Sequence, residues 1–449
     1  MRNKFSLACC TVCCAVIMSV GLIYYPKWQQ PGTEATLSWD VSGYYFYLPA
    51  LFIYQDLKQL KFAGEILQTY QPTPEILQAY QRDNGDYVMK YSSGMAVQYL
   101  PFFGVAHLYA SLSGVRADGF SWPYQLAINL GSLLVACLGI WMLRKILLTK
   151  FGDVATGVAL LVIVLATNYL DYAAINGAMT HNYLFTWYCI LVWCTHRYWQ
   201  NPGNGKAITI GLILGLMTLT RPTEILAMLI PLLWGVTGRN SWTERARHFK
   251  RHSGHVLRAG AALIAMGSIQ VIYWLYATGK PLVYSYEEQG FSLLQPRIAD
   301  GLFDFRIGWL MYSPALVLAL AGFYFLYRHH RQLWRVLGIF TVLFLWLTLS
   351  WEEWTYGGSL GHRAMIQAYP VLAFPLAALL ERVVRNGLVL KWVTGLFLAA
   401  CIWYNGWLTH HAHKGGLFRP GQMTQAYFKA ILGKQNVPET YQFLLDADQ

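Results

Sequence analysis

Charge is what this chain has least of. Only 12% of its 449 residues are Asp, Glu, Lys or Arg, about half the ~25% of a soluble globular domain. So few charges cannot cover a water-facing surface, which excludes an ordinary soluble enzyme. The sequence has no phosphate-binding loop, no dinucleotide-binding glycine fingerprint, no HExxH and no GxSxG elbow. An ATP-driven pump and a soluble nucleotide-sugar enzyme are thereby set aside. Internal repeats and low-complexity tracts are missing too. The eight cysteines form no framework. Cys9, Cys10, Cys13 and Cys14 share the first apolar segment and the other four are scattered, without the Cys/His spacing of a zinc loop. They read as small apolar side chains.

What is present is hydrophobic length. Apolar residues make up 55% of the chain, in runs near the ~20 residues that a bilayer crossing requires. The fold class read from this is an all-α polytopic membrane protein. The net charge of +12 is concentrated in connectors. Arg239, Arg245, Arg247, Lys250, Arg251 and Arg258 crowd one of them, and Arg328, Arg331 and Arg335 another. Such loops mark cytoplasmic faces. No basic aromatic module accompanies them, so nucleic acid is not a partner.

Orientation follows from these connectors. Spans are expected near 5–25, 122–143, 154–171, 182–199, 206–221, 223–237, 257–278, 309–327, 336–351, 366–381 and 392–411, eleven in all. The first, preceded by Arg2 and Lys4, reads as a retained anchor with its N-terminus inside. The outer loop 26–95 holds five basic residues (Lys27, Lys58, Lys61, Arg82, Lys90) against seven acidic ones (Glu34, Asp40, Asp56, Glu65, Glu75, Asp83, Asp86). That loop is too long for a bare connection. "YLPALFIYQDLKQLKF" and "TPEILQAYQR" suggest amphipathic helices lying on the membrane, the second starting at Thr73-Pro74-Glu75. Residues 96–113 are apolar, but a crossing there would put Arg144, Lys145 and Lys150 outside. They are expected to re-enter or lie in the outer leaflet. The tail 412–449, with its "TYQFLL", is expected to be peripheral and outside.

This topology gathers the unusual polar residues on one face. Asp40 and Lys90 fall in the first outer loop, and Asp171, Asn176, His181 and Asn182 in the second. Arg221 marks an outer turn, Glu287 and Glu288 the third loop, and Trp351, Glu352, Glu353, Trp354, Tyr356, His362 and Arg363 the fourth. Ionisable groups at membrane depth cost several kcal/mol unless paired or facing a wet cavity. Each has a structural alternative. Asp40 can cap a helix, and Lys90 can snorkel. Asp171 and His181 can meet each other and water, Arg221 can pair with Glu224, and Glu352 and Glu353 can sit in an interfacial belt. One carboxylate suits a general base, and Lys90, Arg221 and Arg363 suit a phosphate. The aromatic residues, 16% of the chain, suit sugar stacking and a lipid groove.

"WDVSGYYFYLPALF", "KYSSGMAVQYLPFF", "TRPTEIL" and "YGGSLGHRAMIQAYPVLAFPLA" resemble the bacterial branch of the GT-C membrane glycosyltransferases, which includes protein O-mannosyltransferases and lipid A aminoarabinose transferases. The similarity runs from about residue 36 to 381 through short motifs. It implies a transmembrane domain over 1–411 and a multi-pass protein of the bacterial inner membrane. It further implies a polyprenyl-phosphate sugar donor, transfer with inversion on the periplasmic face, and an acid in the first outer loop. Asp40 matches that acid, with Val41 where many relatives carry Glu. Lys90 matches a phosphate-associated lysine, followed here by Tyr91-Ser92 rather than two prolines.

On this resemblance Asp40 takes the acceptor's proton, and Lys90 with Arg221 or Arg363 holds the leaving phosphate. Inversion then asks that Asp40 and the cations line opposite walls. Asp171, His181, Glu352, Glu353 and His362 are supporting candidates. No motif encodes a cofactor, and a divalent metal stays open. Membrane lipids are the other expected partners. The rival readings are a transporter or flippase of a lipid-linked anionic substrate, which should show repeated halves, and a non-catalytic scaffold.

Overall fold

The computed structural model describes residues 3–74, 78–286 and 289–446. The chain opens with α1 (Lys4–Ser19), which runs on as a π-turn over Val20–Tyr24. The first outer loop folds into three short helices, α2 (Trp39–Tyr45), α3 (Tyr47–Phe52) and α4 (Ala63–Tyr70). An antiparallel pair, β1 (Ala79–Gln81) and β2 (Tyr87–Met89), follows, with Tyr80 opposite Val88. The helix expected over "TPEILQAYQR" is therefore corrected at its C-terminal half, where strand pairing wins. Glu75 lies outside the described residues, as do Arg2, Glu287 and Glu288.

Next come α5 (Gly94–Ser113), α6 (Trp122–Leu147), α7 (Asp153–Leu165), α8 (Thr180–Gln200) and α9 (Asn204–Thr220). A 3-10 turn over Pro222–Met228 leads to α10 (Leu229–Leu233), α11 (Arg239–Arg251) and α12 (Ser253–Thr278). After α13 (Ile298–Phe303) and α14 (Trp309–Tyr312), the chain builds α15 (Leu316–His329), α16 (Arg331–Leu349), α17 (Tyr369–Arg385), α18 (Leu388–His413) and α19 (Gln425–Ile431).

Among the described residues, six helical segments are long and apolar enough to cross a membrane: Lys4–Gln29, Trp122–Leu147, Ser253–Thr278, Arg331–Leu349, Arg363–Arg385 and Leu388–His413. Shorter apolar helices cover Asp153–Leu165, Asn204–Thr220, Pro222–Leu233 and Leu316–His329. The span expected at 154–171 stops as a helix at Leu165, ahead of a π-turn over Asp171–Ile175.

The most buried long helix forms the centre. In α17 and its lead-in, 94% of the apolar window is buried, against 11% in α12 and 17% in α18. Close backbone approach sets this core. A Cβ at Gly322 of α15 would collide with the Pro375 carbonyl of α17, and one at Gly211 of α9 with the Ala259 carbonyl of α12. Small residues allow such approach where lipid gives helices no hydrophobic drive to associate. At one end of the bundle Asp153 Oδ2 and Oδ1 accept the Phe5 and Ser6 amides at 3.0 and 2.9 Å. A carboxylate there satisfies the orphan donors of the first turn of α1.

Residues 96–113 belong to one continuous helix, α5, with Pro101 inside it. Both of its ends are tied to the first loop. Tyr47 donates to the Tyr91 carbonyl just before α5, at 2.7 Å. Just after it, Tyr45 donates to Gly119 O at 2.7 Å and Tyr70 to Asp118 Oδ2 at 2.5 Å. The tail is more than peripheral. Phe418, Met423, Tyr427, Phe428 and Ile431 are buried in a second core with Tyr312, Leu360 and Trp407.

Candidate active site

Asp40 stands in the first turn of α2, after a Trp39 held at φ +46°. A bulky residue in the left-handed region is strained, and such strain persists where the surroundings fix it. Here the Trp39 amide is held by Pro72 O at 3.1 Å. The carboxylate is bound on both oxygens. Tyr91 OH donates to Oδ1 at 2.7 Å, and Arg363 Nη2 makes an ion pair with Oδ2 at 2.8 Å. The Asp40 side chain keeps 18% exposure, so it is paired yet reachable.

Each partner has its own support. Lys90 and Tyr91 leave β2 on a backbone pinned by hydroxyls. Ser285 donates to Lys90 O at 2.6 Å, and Tyr273 accepts the Met89 amide at 2.9 Å. Burial, and the Asp40 charge beside it, raise the Tyr91 phenol above its usual range, so it stays a donor. Arg221 ends α9 because Pro222 follows: the residue before proline is pushed out of the helical region, and Arg221 is extended (φ −144°, ψ 121°). Tyr356, at φ +50° before two glycines also at positive φ, presents its ring to both guanidiniums, 6.0 Å from Arg221 and 5.9 Å from Arg363.

These groups line a cavity of about 300 Å³ with Tyr44, His181, Thr220, Tyr286, Gln289, Trp351, Glu353 and Gly357. A second, apolar cavity of about 280 Å³ adjoins it, sharing Arg221, Tyr286, Trp351 and Tyr356. Its walls include Trp274, Leu282, Phe291, Phe344 and Leu347. A charged chamber thus opens into a greasy groove. Burial pushes the Tyr286 phenol, at their boundary, up to about 12.

Of the residues expected from sequence, the cavity brings together Asp40, Lys90, Arg221, Arg363, His181 and Glu353. Three lie elsewhere. Asp171 is sealed, accepting Asn176 Nδ2 at 2.8 Å and paired with His413. Glu352 accepts the Gly290 amide at 2.9 Å and returns its own to Gly290 O at 3.0 Å, clasping two loops together. His362 is buried behind the wall, its ring 5.1 Å from that of Tyr356. Burial and the nearby guanidiniums push its imidazole down to about 3, so it stays neutral.

Two further expectations change. Arg221 forms no ion pair with Glu224. Gln367 stands between them, accepting from Arg221 Nη1 at 3.5 Å and donating to Glu224, which also takes the Tyr188 hydroxyl at 2.6 Å. Arg363 does not face Asp40 from an opposite wall but is bonded to it, because a part-buried carboxylate needs a countercharge. Sequence reasoning missed Tyr91, Tyr44, Tyr286 and Gln367 as site residues. Gln367 alone carried a signal, as a polar residue in the apolar run "AMIQAYPVLAF". Among the described residues no group of three or more His, Cys, Asp or Glu is arranged to hold a metal ion.

Comparison with known proteins adds two findings. Residues 122–276 match the family model described as dolichyl-phosphate-mannose-protein mannosyltransferase. That stretch carries His181 and Arg221 but not Asp40, Lys90 or Arg363. No curated protein matches the chain. Among solved structures, the oligosaccharyltransferase of Archaeoglobus fulgidus in its apo form is similar, at 12% identity and a TM-score of 0.52. The match covers 98% of this chain and 59% of that one. At that identity the likeness shows the fold alone. The family match is confined to residues 122–276 of the 449, and the fold is like that of this oligosaccharyltransferase.

Proposed function

We propose that the chain is a membrane glycosyltransferase that moves a sugar from a polyprenyl phosphate to an acceptor on the extracytoplasmic face. The observation that carries this reading is a chamber lined by two carboxylates, Asp40 and Glu353, and three cations, which opens into an apolar groove. A polyprenyl tail suits the groove, and its phosphate suits Arg221 at the junction and Lys90 in the chamber. An acceptor hydroxyl or amine attacks the anomeric carbon as the bond to the phosphate oxygen breaks. Asp40 takes the acceptor's proton, and the phosphate leaves with the bonding pair. Cations aimed at that developing charge are worth more in a water-poor chamber than in solution. The reading rests the phosphate on side-chain cations rather than on a metal.

Arg363 takes a different role from the one sequence suggested, and Tyr91, to which sequence gave none, joins it. Together they hold and aim the Asp40 carboxylate, leaving the phosphate to Lys90 and Arg221. In this reading the protein sits in a bacterial inner membrane with eleven spans, and α5 stays in the outer leaflet because both its ends meet the first loop. Reporter fusions after residues 118, 150 and 415 check that topology; a cytoplasmic 415 would overturn it. Activity is tested by incubating the purified full chain, in liposomes, with radiolabelled polyprenyl-phosphate sugars and candidate glycan, lipid and protein acceptors. Label moved to one acceptor class supports transfer and names the acceptor. Label carried across the bilayer unchanged would instead support a transporter.

A further inference from the structure

The far end of the bundle holds a cavity that the transfer reading does not use. α17 starts a few residues after Arg363 and runs 17 residues, about 25 Å at ~1.5 Å per residue. Where it ends, three chain segments enclose about 310 Å³: Lys150 from the α6–α7 connector, His329 and His330 from the end of α15, and Glu381, Arg382 and Arg385 from α17. The connector is a fixed turn, with the Lys150 and Phe151 amides both donating to Leu147 O at 2.9 Å. Phe151 sets its ring edge-on to His330 at 5.1 Å.

The charge balance inside is one-sided. Glu381, the single acid lining this cavity, is taken by Arg385 at 2.9 Å. Lys150 and Arg382 have no ion-pair partner among the described residues. Lys150 also lines a neighbouring cavity of about 380 Å³ with His196, Trp199 and Trp234. A general excess of basic residues in short loops explains cations scattered over a surface. It does not explain two separate segments turning Lys150, Arg382 and Arg385 into one hollow, while Arg328, Arg331 and Arg335 nearby stay out of it. A basic pocket between helix ends, with tryptophans beside it, has the composition that holds an anionic lipid headgroup.

We propose that this hollow binds the phosphate of an anionic membrane lipid, with Lys150 and Arg382 as its main contacts. The helix ends of α15 and α17 add partial negative charge here, which favours a singly charged phosphodiester over a more highly charged anion. The proposal is independent of the transfer chemistry.

The test uses the purified full chain in detergent, with phosphatidylglycerol, phosphatidylcholine and inorganic phosphate as separate probes. Thermal melting and native mass spectrometry read out binding. Phosphatidylglycerol should raise the melting temperature by several degrees and remain as an adduct, whereas phosphatidylcholine should do neither. In Lys150→Gln/Arg382→Gln the shift should fall by at least half, whereas Arg328→Gln/Arg335→Gln should keep it. If the double variant does not fold, Lys150→Gln alone supplies the same comparison. An undiminished shift in the Lys150 variants overturns the proposal. So does an equal response to inorganic phosphate, which would mark a soluble-anion site.

Discussion

Asp40 and Asp171 are both acids at membrane depth, each held by one basic side chain and one neutral donor. Asp40 has Arg363 and the Tyr91 hydroxyl; Asp171 has His413 and the Asn176 amide. The surroundings separate them. Asp40 retains 18% exposure and faces a cavity, whereas Asp171 retains 1% and faces packed side chains. Around Asp171, Lys27 reaches Asn176 Oδ1 at 3.0 Å and Tyr25 packs on the His413 ring at 5.0 Å. That cluster joins the end of α1, the turn after α7 and the end of α18. The lesson is that a charge pattern marks both a site and a rivet, and only access tells them apart.

The comparison breaks if the two acids respond alike to mutation. The largest effect is expected at Asp40: Asp40→Asn should lower transfer by about 10²–10⁴-fold, the usual contribution of a general base, with melting unchanged. Next come Lys90→Ala and Arg221→Ala, each expected to cost about 10²-fold in kcat/KM, as for removal of one charge-stabilising donor, measured by initial rates. Asp171→Ala should show the inverse pattern. Transfer per folded molecule should stay within a few-fold, whereas stability should drop by about 3–5 kcal/mol, the cost of breaking a buried pair. Chemical denaturation reads that loss. A large activity loss without destabilisation would make Asp171 part of the chemistry.

The smallest effect concerns His362. Its imidazole is held near 3 in the folded protein, against about 6.5 when unfolded. The unfolded chain therefore binds the extra proton first, and stability is lost as pH falls from about 6.5 towards 3. His362→Leu should flatten melting temperature against pH over that window. An unchanged acid limb would contradict the assignment.

The membrane class and the principal charges were legible because charge is scarce in this chain, so each one at depth stands out. The six that share the cavity were all marked from sequence. Tyr44, Tyr91 and Tyr286 were not, since aromatics are common here and Tyr91 looks like its many neighbours until its hydroxyl meets Asp40. The pairing of Asp171 was hidden from sequence because its partner His413 lies 242 residues away, at the end of a helix read as an ordinary last span. The β1–β2 pair was hidden by a segment whose apolar spacing suits a helix. Arg221 was placed correctly at a turn, since a proline after it forbids helix whatever the tertiary context.

The central claim is that Asp40 is the base and that Arg363 and Tyr91 only hold it. The most direct test is a single-turnover transfer assay from a radiolabelled polyprenyl-phosphate sugar, comparing Asp40→Asn with the unaltered chain at matched melting temperature. The account predicts that Asp40→Asn binds donor but forms product at least about 10²-fold more slowly. Product formation by that variant at the rate of the unaltered chain would contradict it.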